Sequence, residues 1–232
     1  MKLHSILTML VLATMAASAK PAPVAGSSSG QWVSPNPSGG SIVTTGVGTP
    51  DFTWGDASAF ELGNNSLSFS GASFASVTET PFMVGSIQYH NGTTALGSTP
   101  DFISLALDLN FGAPSIGHVI STYVFGLNST PNSDDPDASA DFVSLPSGFS
   151  TTSFAIGSVI YNVKLTGFQN IHGDGFLASS ASEFHVREGG IATADVYAVV
   201  TTQMIPEPQT YALMLAGLGA MGMVVRRRTR RG

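Results

Sequence analysis

The clearest pattern along the chain is a strict alternation of apolar and polar positions. Ile103, Leu105, Leu107, Leu109 and Phe111 alternate with Ser104, Ala106, Asp108 and Asn110. A helix would scatter those five apolar side chains around its circumference, so the spacing predicts a strand. Val159, Tyr161, Val163 and Leu165 repeat the pattern, as do Val196, Ala198 and Val200. Shorter runs of the same kind fall at 66–69, 82–89, 122–127, 141–145 and 184–187. Asn91-Gly92, Gly63-Asn64, Ser147-Gly148, Gly173-Asp174-Gly175 and Gly189-Gly190 separate them and supply the positive-φ positions that strand connections need. No segment between 42 and 204 carries a capped 3.6-residue period. Short strands with one apolar face each must bury those faces against a second sheet. The expected fold is therefore all-β, an antiparallel β-sandwich, of which a jelly roll is one form. Thr49-Pro50-Asp51-Phe52 is echoed by Thr99-Pro100-Asp101-Phe102, but two tetrapeptides do not make a repeat protein.

Three further segments flank this body. Lys2 precedes an apolar run from Ile6 to Ala13, and Ala17-Ser18-Ala19 gives the small-x-small pattern that a signal peptidase reads. Residues 1–19 are thus expected to form a signal helix that is removed, with Ala17 and Ala19 at the cleavage site. Residues 20–41 are rich in Gly, Ser and Pro, with Trp32 and Val33 as their large apolar pair, and read as a flexible leader. The body is then 42–204 and the tail 205–232.

In the tail, an uncharged apolar run begins at Tyr211 and closes at Val225, and Arg226, Arg227, Arg228, Arg230 and Arg231 follow at once. As a helix, fifteen residues reach roughly 22 Å, short of a ~30 Å hydrocarbon core unless Gln209, Thr210 and a snorkelling Arg226 extend it. The expectation is a marginal transmembrane helix through the inner membrane, its Arg cluster held cytoplasmic. Just before it stands Ile205-Pro206-Glu207-Pro208, where two prolines flanking one carboxylate fix an extended segment that is expected to join neither a sheet interior nor the helix that follows.

Composition changes the picture in three places. The 232 residues hold no Cys, which removes disulfides, Cys-ligated metals and thiol chemistry. Only 10% are charged, with 26 Gly and 13 Pro, a profile of strands and turns. Between 21 and 205 only Lys164 and Arg187 are basic, against fourteen Asp and Glu, a net −12. No basic patch exists there to neutralise phosphates, so nucleic acid is not an expected partner.

Pro206, Glu207 and Pro208, the apolar helix and the terminal Arg cluster together resemble the PEP-CTERM sorting signal of Gram-negative bacteria. The resemblance implies recognition by a membrane-embedded exosortase that removes the tail. It also implies a route in which the protein is exported, held transiently at the inner membrane, then delivered to the cell surface or extracellular matrix. Gly46-Val47-Gly48-Thr49 with Phe52-Thr53-Trp54-Gly55, Pro81-Phe82-Met83-Val84-Gly85, Tyr89-His90-Asn91-Gly92, Ala140-Asp141-Phe142-Val143 and Glu188-Gly189-Gly190 resemble the choice-of-anchor K domain. That is a bacterial exported module, and the likeness implies one β-rich domain over residues 30–202 and no particular chemistry.

Candidate chemistry is sparse. Asp134, Asp135 and Asp137, with Asp141 nearby, form the densest carboxylate group, and hard oxygen ligands suit calcium. The spacing lacks the Gly and terminal Glu of an EF-hand loop, so a solvated, self-repelling loop is the competing reading. Gly26-Ser27-Ser28-Ser29-Gly30 fits G-x-S-x-G, but a nucleophile elbow needs a strand before it and a helix after it. Glu61, Glu79, Glu183 and Glu188 could pair as glycosidase carboxylates, with no spacing that selects any two. Trp32, Trp54, Tyr89 and Tyr123 are possible stacking platforms for sugar rings, with core or edge packing the favoured reading of both Trp residues. Ice binding would want a regular Thr-x-Thr array, whereas Thr44-Thr45, Thr93-Thr94, Thr151-Thr152 and Thr201-Thr202 are doublets whose neighbours point to opposite faces. The expected function is a non-enzymatic exported surface or matrix protein, structural or adhesive, without a cofactor unless calcium binds. The alternative is a carbohydrate-binding module or carbohydrate-active enzyme taken to the same extracellular polysaccharide.

Overall fold

A computed structural model describes residues 20, 22–145, 151–175, 179–205 and 208–230. Among the described residues thirteen strands and one helix follow in chain order: β1 Pro23–Asn36, β2 Thr44–Thr45, β3 Asp51–Trp54, β4 Asn65–Gly71, β5 Ser73–Val77, β6 Phe82–His90, β7 Phe102–Ala113, β8 Gly117–Asn128, β9 Asp141–Ser144, β10 Thr152–Ile156, β11 Val159–Gly173, β12 Glu183–Val186, β13 Ile191–Met204 and α1 Pro208–Thr229. They form two antiparallel sheets, one in the order β12-β9-β8-β7-β1-β5 and the other β10-β11-β13-β6-β4-β3-β2. The sandwich expected from alternation is present.

Period-two patterning selects the inner faces. In β7, Ile103, Leu105, Leu107, Leu109 and Phe111 are buried, and β13 turns Ala192, Ala194, Val196, Ala198 and Val200 inward. Aromatic rings tie the layers together. Phe52 stacks on Trp54 and Trp54 on Tyr89, and Tyr89 meets Phe184 edge-on at 6.3 Å. From Phe184 the path crosses to Phe168, Phe125 and Trp32, alternating between sheets until the last step. Such offset and edge contacts add to the area each ring removes from water.

The expected flexible leader over 20–41 is corrected: residues 23–36 are β1, hydrogen-bonded to β7 along its length and to β5 over 23–27, one strand in from the edge of a sheet. Its inward positions are Val24, Gly26, Ser28, Gly30 and Trp32. The alternation was hidden because three of the five are small. A Cβ on Gly30 would stand 2.6 Å from Cδ1 of Phe69, a β4 residue of the opposite sheet, so Phe69 supplies the volume that β1 lacks.

The tail does form a helix, α1, with Arg226, Arg227 and Arg228 in its last turn; the expectation that Pro208 stays outside it is corrected, because α1 begins at Pro208, where a first turn tolerates the missing amide. The expected transmembrane helix is corrected: among the described residues no helix is long and apolar enough to cross a membrane. Its apolar stretch is four turns, interrupted by Gly217, Gly219 and Gly222, and arginines end it. Described side chains along it, Met214, Leu215, Leu218, Met221 and Met223 among them, are exposed. Ala17, Ala19, Pro206, Glu207, Arg231 and the Ser147-Gly148 turn lie outside the described residues.

Candidate functional site

Both ends of the sandwich body meet at one pole. Ala22 and Thr78 exchange hydrogen bonds, Glu79 N donates to Val200 O, and Glu79 Oε1 accepts from Thr202 N at 2.7 Å. The start of the body and the last strand before the tail are thereby joined through Thr78 and Glu79. From there β13 runs back to Ile191, opposite His90, at the other pole. At strand spacing its thirteen steps cover up to about 44 Å. Loops 37–48, 55–64, 91–101, 129–140 and 187–190 gather at that far pole, cross-linked by Val43 N to Ser98 O, Ala95 N to Asp56 O and Glu188 N to Pro136 O. Val43, Phe60, Leu62 and Leu96 are exposed on it.

Beneath these loops lies a polar knot. Asn91 is fully buried; its N donates to Gly190 O, its O accepts from Gly189 N, and its Nδ2 donates to Val186 O at 2.9 Å. Val186 pairs with Asp141 in the β12–β9 register. Asp141 is also buried, and its Oδ1 accepts from Thr130 N at 2.7 Å. Glu188 Oε1 accepts from Thr93 Oγ1 and from Asn132 Nδ2. Asn65, fully buried alongside, accepts from Gly92 N. Three atoms of this knot are buried without a protein partner: Asn91 Oδ1, Glu188 Oε2 and Asn65 Nδ2. Unpaired buried polar groups are rare enough to need a reason.

The electrostatics follow from burial. Removal from water pushes the Asp141 carboxyl up to about 6, against the pull of the Thr130 amide, and the nearby Glu188 adds to the rise. Burial likewise raises Glu188, opposed by the Thr93 hydroxyl and by His90. Tyr89 is held well above the usual phenol range by burial first, then by Asp141 and Glu188.

The expected calcium group does not assemble. Asp134, Asp135 and Asp137 are exposed while Asp141 is buried. Asp135 Oδ1 is taken by Asp137 N, and Asp137 Oδ1 forms an ion pair with Arg187 Nε at 3.1 Å. Among the described residues no three His, Asp or Glu side chains group so as to hold a metal. The stacking-platform reading is corrected, while the core packing favoured for Trp32 and Trp54 is what the fold shows. Trp32, Trp54, Tyr89 and Tyr123 are all buried, none above 2% exposed, and serve the core. Ser28 lies inside β1, its Oγ donating to Ala72 O and Val84 O, so the G-x-S-x-G stretch has no elbow. Asn91, Asn65 and Thr130 were not distinguished by the sequence as site residues. Asn91-Gly92 looks like a hairpin turn, and only burial reveals otherwise.

Two features thus define the class: an antiparallel β-sandwich body and a separate C-terminal apolar helix ending in arginines. Residues 205–231 match the family model of the PEP-CTERM protein-sorting motif. The motif is of the kind generally recognised by an exosortase, and it marks an exported protein that is processed at the membrane. No curated protein matches the chain.

Proposed function

We propose that this is a non-enzymatic cell-surface or extracellular-matrix protein of structural or adhesive role. In this reading signal peptidase removes residues 1–19, an exosortase acts at Pro206-Glu207-Pro208, and the body is released from the inner membrane to the surface. The observation that carries it is the match at 205–231. The shared pole supports it: the body is held where Ala22, Glu79 and Thr202 meet, so the opposite loop pole faces outward. The body is taken as a module of the choice-of-anchor K type, whose expected single β-rich domain suits one continuous sandwich. Burial of the four aromatic platforms leaves the carbohydrate reading without the stacking surface that would favour it.

Intact mass of the native protein from fractionated cells, with and without the exosortase, tests the proposal. The expected result is a surface form lacking 1–19 and ending near Pro206 to Pro208, and a tailed form in the membrane fraction of the mutant. An intact Arg-rich tail in both strains would overturn it.

A further inference from the structure

Asn91-Gly92 is the one Asn-Gly pair in the chain. Such a pair carries its own chemistry: the glycine amide nitrogen, unhindered by a side chain, attacks the asparagine Cγ, Nδ2 leaves as ammonia, and water opens the resulting succinimide to aspartate or isoaspartate. Here both residues are fixed by packing. A Cβ on Gly92 would collide with the Gly63 carbonyl oxygen, so no larger residue fits, and Asn91 Nδ2 donates to Val186 O at 2.9 Å, which an ionised aspartate could not do. The fold therefore keeps a reactive pair in its interior.

Each group that the reaction needs is held back. The nucleophile is occupied, because Gly92 N donates to Asn65 Oδ1 at 2.9 Å, and Gly92 and Asn65 are both buried away from the hydroxide that must take the amide proton. The leaving nitrogen is tied to Val186. Asn91 N donates to Gly190 O and Asn91 O accepts from Gly189 N, so the main chain is not free to turn Gly92 N onto Cγ. Asn91 Oδ1 is buried with no donor among the described residues, so the oxyanion that forms when Cγ is attacked has nothing to stabilise it. A bare acceptor costs the fold some stability, and here it also keeps Cγ unreactive.

We propose that Asn91 is a latent deamidation site, closed in the folded body by Asn65 and released only when the loop pole opens. Asn65 is a positioning residue that acts through its hold on the Gly92 amide. Conversion puts a carboxylate where Val186 O requires a donor, beside the rung on which Val186 faces the buried Asp141 and two residues from Glu188. A third acidic group in that place opposes re-closure. A molecule that has once opened is thereby marked, and its loop pole stays loose. The inference is independent of the sorting reading.

The test is incubation of the purified full chain in mildly alkaline buffer, followed by peptide mapping by mass and enzymatic methyl-labelling of isoaspartate. Conversion at Asn91 should be at least about tenfold slower in the folded chain than in the same chain unfolded by urea, as for a site reached only by opening. Asn65→Leu, folded by its melting curve, should lose most of that protection, and Asn65→Asp, which keeps an acceptor for the Gly92 amide, should retain it. Equal rates folded and unfolded would overturn the proposal, as would an Asn65→Leu chain as slow as the natural one or an Asn65→Asp chain as fast as Asn65→Leu. Should the variants not fold, hydrogen exchange decides on the natural chain. The Gly92 amide should be protected by the same factor as Asn91, both losing protection together as urea is raised toward the transition. A Gly92 amide that exchanges freely while Asn91 stays intact overturns the role of Asn65.

Discussion

Gly26 of β1 runs so close to the Asn110 carbonyl of β7 that no Cβ fits between them. The same Cβ would also meet the Phe74 ring at 3.0 Å. The register between β1 and β7 shifts at Ala25/Gly26, so the contact sits at a bulge, where backbone crowds backbone. Gly26→Ala should therefore force the strands apart. A loss of about 2–3 kcal/mol is expected in denaturant unfolding, with little change in the slope. A flexible leader would instead tolerate alanine or gain from it, so an unchanged midpoint would remove β1 from the sheet.

Ser28 is bound on both sides. Its hydroxyl donates to the Ala72 and Val84 carbonyls and accepts from Ala72 N at 2.9 Å. Ser28→Ala leaves those groups without the hydroxyl and should cost about 1–3 kcal/mol in thermal or chemical unfolding. A serine-directed fluorophosphonate should not label this residue in the folded chain. Labelling at Ser28 by peptide mapping would restore the nucleophile reading.

The long alternating runs were legible because their inward residues are large. Leu105 and Leu107 announce a strand whatever surrounds them, and β7, β11 and β13 lie where their periodicity puts them. In β1 the same alternation is written in Gly and Ser, because Phe69 and Leu105 fill the space next to Gly30, and local composition cannot report a neighbour's bulk. Asn91 illustrates the other limit. Asn-Gly is a strong hairpin signal, but here the partners of β6 are β4, which precedes it, and β13, a hundred residues on, and the pair is drawn into a buried loop. The tail was readable for the opposite reason. Its chemistry is local, carried by consecutive residues that need no tertiary partner.

Asp141 gives the body a pH dependence of definite sign. Its pKa rises from 3.8 to about 6 on folding because burial disfavours the carboxylate, so the folded state holds the proton more firmly than the unfolded chain. That contribution is fully present below about pH 4 and is lost as the pH rises through 6, for a span of roughly 3 kcal/mol. Glu188, also raised by burial, shifts in the same direction. Thermal melts from pH 4 to pH 7 should fall, and Asp141→Asn should flatten the curve while leaving the general repulsion of the acidic body in place. A natural chain and variant with parallel profiles would show that Asp141 titrates normally.

The helix and the sandwich should be separable in stability. Every described side chain of α1 from Met214 to Met223 is exposed, so these side chains add nothing measurable to the core. The last strand, by contrast, is anchored to its end: Thr202 N donates to Glu79 Oε1, and Ile205 N donates to Ser158 O at 2.7 Å. A chain ending at Ile205 should keep the melting temperature of the full chain to within about 2 °C, as expected for removal of an unpacked segment. It should leave the membrane fraction, because the acidic body offers no basic surface to anionic headgroups. A chain ending at Val199 would lose the Val200 carbonyl that holds Glu79 and the inward Val200 side chain, and should melt several degrees lower. If the truncation at Ile205 were instead the more damaging of the two, the tail would be part of the fold, and cleavage at Pro206 to Pro208 could not release an intact body.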